Sequence, residues 1–136
     1  MIIDKSFLDK LTLQAKSSPR KRVHYDLRDS VDDTSQRMLN AIEPETVIPI
    51  HRHNMTSEIV TCIRGRVCEI LYKECDGQLQ EVSRCEMSPD GEVSLIQVPQ
   101  GAWHTCLSCE SGSVILEFKN TKYDPLYTEE IWVNKE

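Results

Sequence analysis

The chain has 136 residues, 39% of them hydrophobic and 28% charged, enough for one packed domain and too few for two. Its formal charge of −6 argues against a protein that grips nucleic acid or an anionic membrane through its net field. No stretch nears the roughly 20 apolar residues that cross a bilayer, and Met1-Ile-Ile-Asp-Lys lacks the apolar core of a secretion signal. Six cysteines (Cys62, Cys68, Cys75, Cys85, Cys106, Cys109) then read as thiols, and the expected location is cytoplasmic.

In chain order, Ser6 to Lys16 places Phe7, Leu8, Leu11 and Ala15 on one helical stripe, with Ser6 as the expected N-cap and Pro19 as the stop. Arg20-Lys21-Arg22 reads as a solvated basic run, and a short strand is expected around Val23 to Leu27. From Gln36 the pattern turns to strands closed by turn residues. They run Met38–Ile42, Val47–His53, Glu58–Ile63, Val67–Tyr72, Leu79–Cys85, Val93–Val98, Trp103–Leu107 and Val114–Lys119. Short strands at this spacing, with no helical period between them, predict an all-β antiparallel sandwich or barrel. The expected division is an N-terminal helix and arm over 1–33, a barrel over 34–120 and a C-terminal strap over 121–136, all in one domain.

The chemistry concentrates in two short stretches. In His51-Arg52-His53 the histidines are two apart, so on a strand they share a face with Cα atoms roughly 6.5–7 Å apart, and one ion can reach both. A turn over Asn54 to Ser57 leads to Glu58, expected to lie opposite His53 in a hairpin, and Gly65 closes that strand where a tight turn needs positive φ. Pro99-Gln-Gly101-Ala-Trp-His104 is a turn followed by a strand that delivers His104 inward. Three histidines and a carboxylate form a borderline N/O donor set suited to one divalent transition metal ion, Zn, Fe, Mn, Ni or Co, with positions left for water or a ligand.

These residues resemble the cupin motifs. His51-x-His53-x4-Glu58-x6-Gly65 is similar to the first motif, and Pro99-x-Gly101-x2-His104 to the core of the second. The opening glycine of the second motif is replaced by Val93, and its closing asparagine by Ser108; neither position is a ligand. The resemblance implies a cupin barrel, a double-stranded β-helix or jelly roll, with His51, His53, Glu58 and His104 on the metal. A closer resemblance is to the WbuC family of cupin-fold metalloproteins, which occur alongside surface-polysaccharide biosynthesis. It is carried by Ser18-Pro19-Arg20-x-Arg22, Gln36-Arg37-Met-Leu-Asn40, Pro49-x-His51-Arg52-His53, Arg64-Gly65-Arg66, Trp103-His104, Glu117-Phe118-Lys119 and Tyr123-Asp124-Pro125. By that likeness a homodimer is expected.

Further residues are pocket candidates. Arg37 and Asn40 share a strand that borders the pocket; an arginine there suits a carboxylate, phosphate or sugar nucleotide, and the alternative is a salt bridge to a nearby acid. Cys62 shares the inward face with Glu58 and Val60. Trp103 is either a core or rim aromatic or a stacking surface, and Glu117 is a partner that orients a histidine N–H. Cys106-x-x-Cys109 reads as ordinary thiols, since no second such pair exists. Two functions stay open: a metal-dependent enzyme, of isomerase or oxygenase type, on a small polar or carbohydrate-derived substrate, and a non-catalytic metallo-cupin module binding a sugar or anionic metabolite. No catalytic base is identified, because His24 is the one histidine outside the ligand set.

Overall fold

The computed structural model describes residues 1–131 and shows two five-stranded antiparallel sheets facing each other, with one helix on the outside. Helix α1 is Lys5–Ser17. The strands are β1 Arg22–Asp26, β2 Gln36–Ile42, β3 Ile50–His53, β4 Glu58–Arg64, β5 Val67–Cys75, β6 Gln78–Met87, β7 Leu95–Val98, β8 Trp103–Ser108, β9 Ser113–Lys119 and β10 Thr128–Ile131. One sheet runs β1-β2-β9-β4-β7 and the other β10-β3-β8-β5-β6. This is the expected cupin barrel.

Several expected boundaries move. The N-cap is Asp4 rather than Ser6, because the Asp4 carboxylate accepts the Phe7 N–H at 2.9 Å and starts the helix earlier. Val47 to Pro49 is not strand: a turn closed between Glu43 and Thr46, whose hydroxyl bonds the Lys21 carbonyl, precedes it, and pairing begins only at Ile50. The last five residues of the expected strap lie outside the described residues. Before them, a 3-10 turn at Pro125–Tyr127 leads into β10, which pairs with β3.

The barrel interior is graded along its strands. At one end Ile42, Cys62, Val67, Met87, Val98, Cys106 and Ile115 form an apolar cluster together with Val60. Two or four residues further along the same inward faces, the side chains become polar: Val60 gives way to Glu58 on β4, Cys106 to His104 on β8, and Ile115 to Glu117 and Lys119 on β9. The period of two keeps these residues inside the barrel, and the apolar end anchors strands that carry buried polar groups at the other.

The outer face of the first sheet is covered by α1. Leu8, Leu11 and Ala15 pack on Leu39, Ala41 and Val114, and burying each larger aliphatic side chain contributes about 1.5–3 kcal/mol. Arg64 pins the helix to the barrel, donating to the Asp9 carboxylate, the Leu8 and Gly112 carbonyls and the Thr12 hydroxyl.

Gly65 makes the β4–β5 turn with φ +80, and a Cβ there would sit 2.7 Å from the Ser113 Cα. Glycine is required on both counts.

Candidate metal centre

The three histidines come from β3 and β8, neighbours in one sheet. His51 pairs directly with His104 across that contact. The register is held at the strand ends: Gly101, at φ +78, donates its N–H to the His53 carbonyl at 2.9 Å, so the turn before β8 is fastened to the end of β3. The His51 and His104 rings are 4.2 Å apart, His51 and His53 5.0 Å, and His53 and His104 5.5 Å. A donor atom from each lies within 4.8 Å of the other two, which is the arrangement of a group able to hold a metal ion.

Glu58 reaches the same point by a route the local sequence did not indicate. The expected β3–β4 hairpin does not form: β3 lies in one sheet and β4 in the other, and residues 54–57 cross between them. β3 is occupied by β10 and β8, and β4 by β7 and β9, so Glu58 pairs with Val98 and Lys119 instead. Its carboxylate projects across the barrel, with Oε2 3.1 Å from His53 Nε2 and Oε1 3.6 Å from His104 Nε2.

The hydrogen bonding of the rings tests the fit of an ion. His51 Nδ1 lies 2.8 Å from the Pro49 carbonyl and His104 Nδ1 2.9 Å from the Ala102 carbonyl. A carbonyl only accepts, so each Nδ1 carries the proton and donates, leaving Nε2 as a lone-pair donor. His53 Nδ1 has Thr128 Oγ1 at 3.4 Å. Nε2 of His53 and of His104 are buried and have no hydrogen-bond partner among the described residues. Their nearest polar neighbour is the Glu58 carboxylate, at 3.1 and 3.6 Å without hydrogen-bond geometry, and a metal ion between these groups would satisfy all of them.

For His51 and Glu58 the electrostatics agree, while in the metal-free protein the Glu58 carboxylate favours a proton on His104 with which an ion would compete. Burial, helped by the neighbouring His104, pushes the His51 imidazole down to about 3, so it is neutral and available as a ligand at ordinary pH. Burial opposes the charge on Glu58, yet the adjoining His104 and His53 outweigh it and hold the carboxyl below its ordinary range. For His104, burial disfavours the imidazolium, but the Glu58 carboxylate overcomes that and raises it.

The other sequence candidates separate. Asn40 lies on the inward side of β2 with Ile42, paired with Ile115. Glu117 is also inward, beside Val60, and burial together with the Glu58 charge pushes its carboxyl up to about 8. Cys62 packs in the apolar cluster at the far end, its thiol pushed up to about 11 by burial, which makes it core rather than pocket lining.

Arg37 does not border the pocket. It shares the outward parity of Leu39 and Ala41, and its guanidinium binds Asp33 at 2.9 Å and the Ser35 and Leu27 carbonyls, the salt-bridge alternative. Trp103, adjacent to inward His104, faces outward. Its Nε1–H donates to Glu74 at 3.1 Å and Arg52 lies 4.5 Å over its ring, so it is a buried packing aromatic and not a stacking surface in the barrel. All six cysteines are free thiols.

Two interior residues went unread in the sequence. Glu69, on β5 opposite Cys106, is 1% exposed, and burial followed by the Glu58 charge raises its carboxyl well above the ordinary value. Lys119 is 9% exposed, with Nζ 4.0 Å from Glu58 Oε2. A signal existed for Glu69, a single charge inside the apolar run Val67 to Tyr72 and in phase with Val67.

A cupin-fold barrel with a three-histidine group able to hold a metal ion is therefore the class of protein. The chain belongs to the family described as "Domain of unknown function (DUF6016)", whose model matches residues 3–84 and so takes in His51, His53 and Glu58 but not His104. No curated protein matches it.

Among solved structures it is similar to the capsular polysaccharide assembling protein CapF from Staphylococcus aureus, at TM-score 0.67 and 18% identity over 85% of this chain and 33% of that one. It is also similar to oxalate oxidase in complex with the substrate analogue glycolate, at TM-score 0.60 and 15% identity over 78% of this chain and 54% of that one. A mutant form of the Bacillus subtilis oxalate decarboxylase OxdC matches at TM-score 0.58 and 16% identity, over 81% of this chain and 28% of that one. The chain thus spans about a third to a half of the length of these neighbours, and at these identities the likeness is one of fold. No helix of the described residues is long and apolar enough to cross a membrane.

Proposed function

We propose that this protein is a metal-dependent enzyme that holds one divalent transition metal ion with His51, His53, His104 and Glu58 and acts on a small polar or carbohydrate-derived substrate. The observation that carries the metal is the convergence of three histidines, with a donor atom of each within 4.8 Å of the others, and of the Glu58 carboxylate on the buried Nε2 atoms of His53 and His104. A bound ion would supply Lewis acidity toward an oxygen of the substrate.

The remaining chemistry belongs to the chain. The Pro49 and Ala102 carbonyls hold His51 and His104 in the tautomer that presents Nε2. Glu117 favours the enzyme over a passive binding module. In the metal-free protein burial and the Glu58 charge push its carboxyl up to about 8, and it sits on the inward face two residues from Lys119, where a proton could be given or taken. The apolar cluster beneath closes the far end of the barrel, so a ligand enters from the polar end.

A place in surface-polysaccharide metabolism is supported by the likeness of the sequence to the WbuC family and by the CapF neighbour. A borderline N/O donor set of this kind would suit an isomerase, by proton transfer, or an oxygenase.

The test is elemental analysis of tag-free protein beside a His51→Ala, His104→Ala double variant. About one equivalent of transition metal in the wild type, absent from the variant, supports the reading. Absence of metal from the wild type, with none taken up on reconstitution, overturns it.

A further inference from the structure

Two of the three histidines are oriented by their own local chain. His51 Nδ1 lies 2.8 Å from the carbonyl of Pro49, two residues upstream, and His104 Nδ1 2.9 Å from that of Ala102, again two residues upstream. His53 has no such local partner. Among the described residues its Nδ1 has one hydrogen-bond partner, Thr128 Oγ1 at 3.4 Å, from a residue 75 positions away in the chain.

The docking of β10 puts that hydroxyl in place. Thr128 is in register with His53, so the two side chains share the inward face. Glu129, the next residue, faces outward, and its carboxylate accepts from Arg52 Nη2 at 2.9 and 3.1 Å and from Asn54 Nδ2 at 2.9 Å. Arg52 and Asn54 flank His53, so β10 grips the chain on both sides of the ligand. On the other edge of β3, Gly101 donates its N–H to the His53 carbonyl, and the Gln100 amide donates to the Asn54 carbonyl at 2.8 Å. The backbone around His53 is thus fastened from both neighbouring strands, while its Nδ1 is served from β10 alone.

We infer that Thr128 is a positioning residue of the metal centre, whose hydroxyl accepts the His53 Nδ1 proton and so presents Nε2 to the ion. This rests on the proposed function and goes beyond it by making the C-terminal strand part of the centre. A hydroxyl can accept this proton as a carbonyl does, but it is the one orienting group of the three that a side-chain substitution removes while the backbone stays. Without it the Nδ1 proton has no acceptor. The tautomer protonated on Nε2, which faces the Glu58 carboxylate at 3.1 Å, then gains, and its proton occupies the lone pair that an ion needs.

The experiment titrates metal-free wild type, Thr128→Val and Thr128→Ser with cobalt(II), followed by the visible spectrum, and measures the urea midpoint of each metal-free protein. Valine keeps the branched shape that suits β10 and lacks the hydroxyl; serine keeps the hydroxyl. The expected result is similar urea midpoints, with cobalt affinity about 10-fold or more weaker in Thr128→Val and within about 3-fold of wild type in Thr128→Ser. Equal cobalt affinity in wild type and Thr128→Val overturns the assignment and leaves the metal centre standing. An equal loss of affinity in both variants, or a loss that tracks a fall in metal-free stability, marks a structural role and also overturns it. If Thr128→Val fails to fold, Thr128→Ala replaces it under the same criteria. No cobalt uptake by the wild type overturns the metal reading and the assignment together.

Discussion

His53 and Glu58 stand on strands of different sheets, yet His53 Nε2 and Glu58 Oε2 are 3.1 Å apart. The contact bridges the two sheets at the polar end of the barrel, where no apolar cluster holds them together. Glu58 is 4% exposed, so its charge is compensated by protein groups and not by water.

Glu58→Gln keeps the shape and removes the charge. We expect cobalt affinity to fall at least 10-fold, because an anionic oxygen donor is replaced by a neutral amide. Metal-free protein should lose about 2 kcal/mol, the scale of removing the charge from one partner of a buried polar contact. Spectroscopic cobalt titration and urea denaturation read the two effects separately. An unchanged affinity would remove Glu58 from the ligand set.

Glu117 gives a pH dependence. Its carboxyl has an ordinary value of 4.5 and is pushed up to about 8 in the fold by burial and by the Glu58 charge. The folded state therefore binds the proton more tightly than the unfolded state. Stability contributed at this position is greatest below pH 4.5 and declines as pH rises from there through 8. Glu117→Gln abolishes that decline. Melting curves of metal-free protein should nearly coincide for variant and wild type at about pH 4.5, with the variant higher by roughly 10 °C or more at about pH 8, since about 3.5 units at about 1.36 kcal/mol each is about 4–5 kcal/mol. Parallel curves at every pH would show that Glu117 ionises normally.

Gly65 and Gly77 separate steric demand from conformational demand. Both have positive φ, +80 and +77. A Cβ at Gly65 would press on the Ser113 backbone, whereas one at Gly77 meets nothing within 4 Å. Gly77→Ala should cost about 1 kcal/mol, the left-handed penalty alone. Gly65→Ala should cost about 3 kcal/mol or more, since backbone must shift as well. Urea midpoints of the two variants decide this, and equal losses would mean that the β4–β5 turn relaxes freely.

Local sequence was enough for the strand pattern, the turn glycines and the face shared by His51 and His53. Each of these depends on local geometry: a period of two, a positive φ, a Pro-x-Gly turn. The same period places Trp103 opposite His104, and so outside the barrel, once His104 is assigned inward.

Which strands meet was settled by long-range pairing. Four residues between His53 and Glu58 are compatible with a hairpin, and only the pairing of β3 with β8 and β10, and of β4 with β7 and β9, sends the chain across to the other sheet. Depth along a strand was settled in the same way. Glu58 and Cys62 share a face, but one lies among histidines and the other in the apolar cluster. Arg37 illustrates the same limit, since its parity follows from Leu39 and Ala41 only after α1 covers that side. Alternation reports a face, while the sheet, the neighbour across the barrel and the distance from its open end depend on contacts between residues far apart in the chain. Lys119 became visible as an interior charge for that reason.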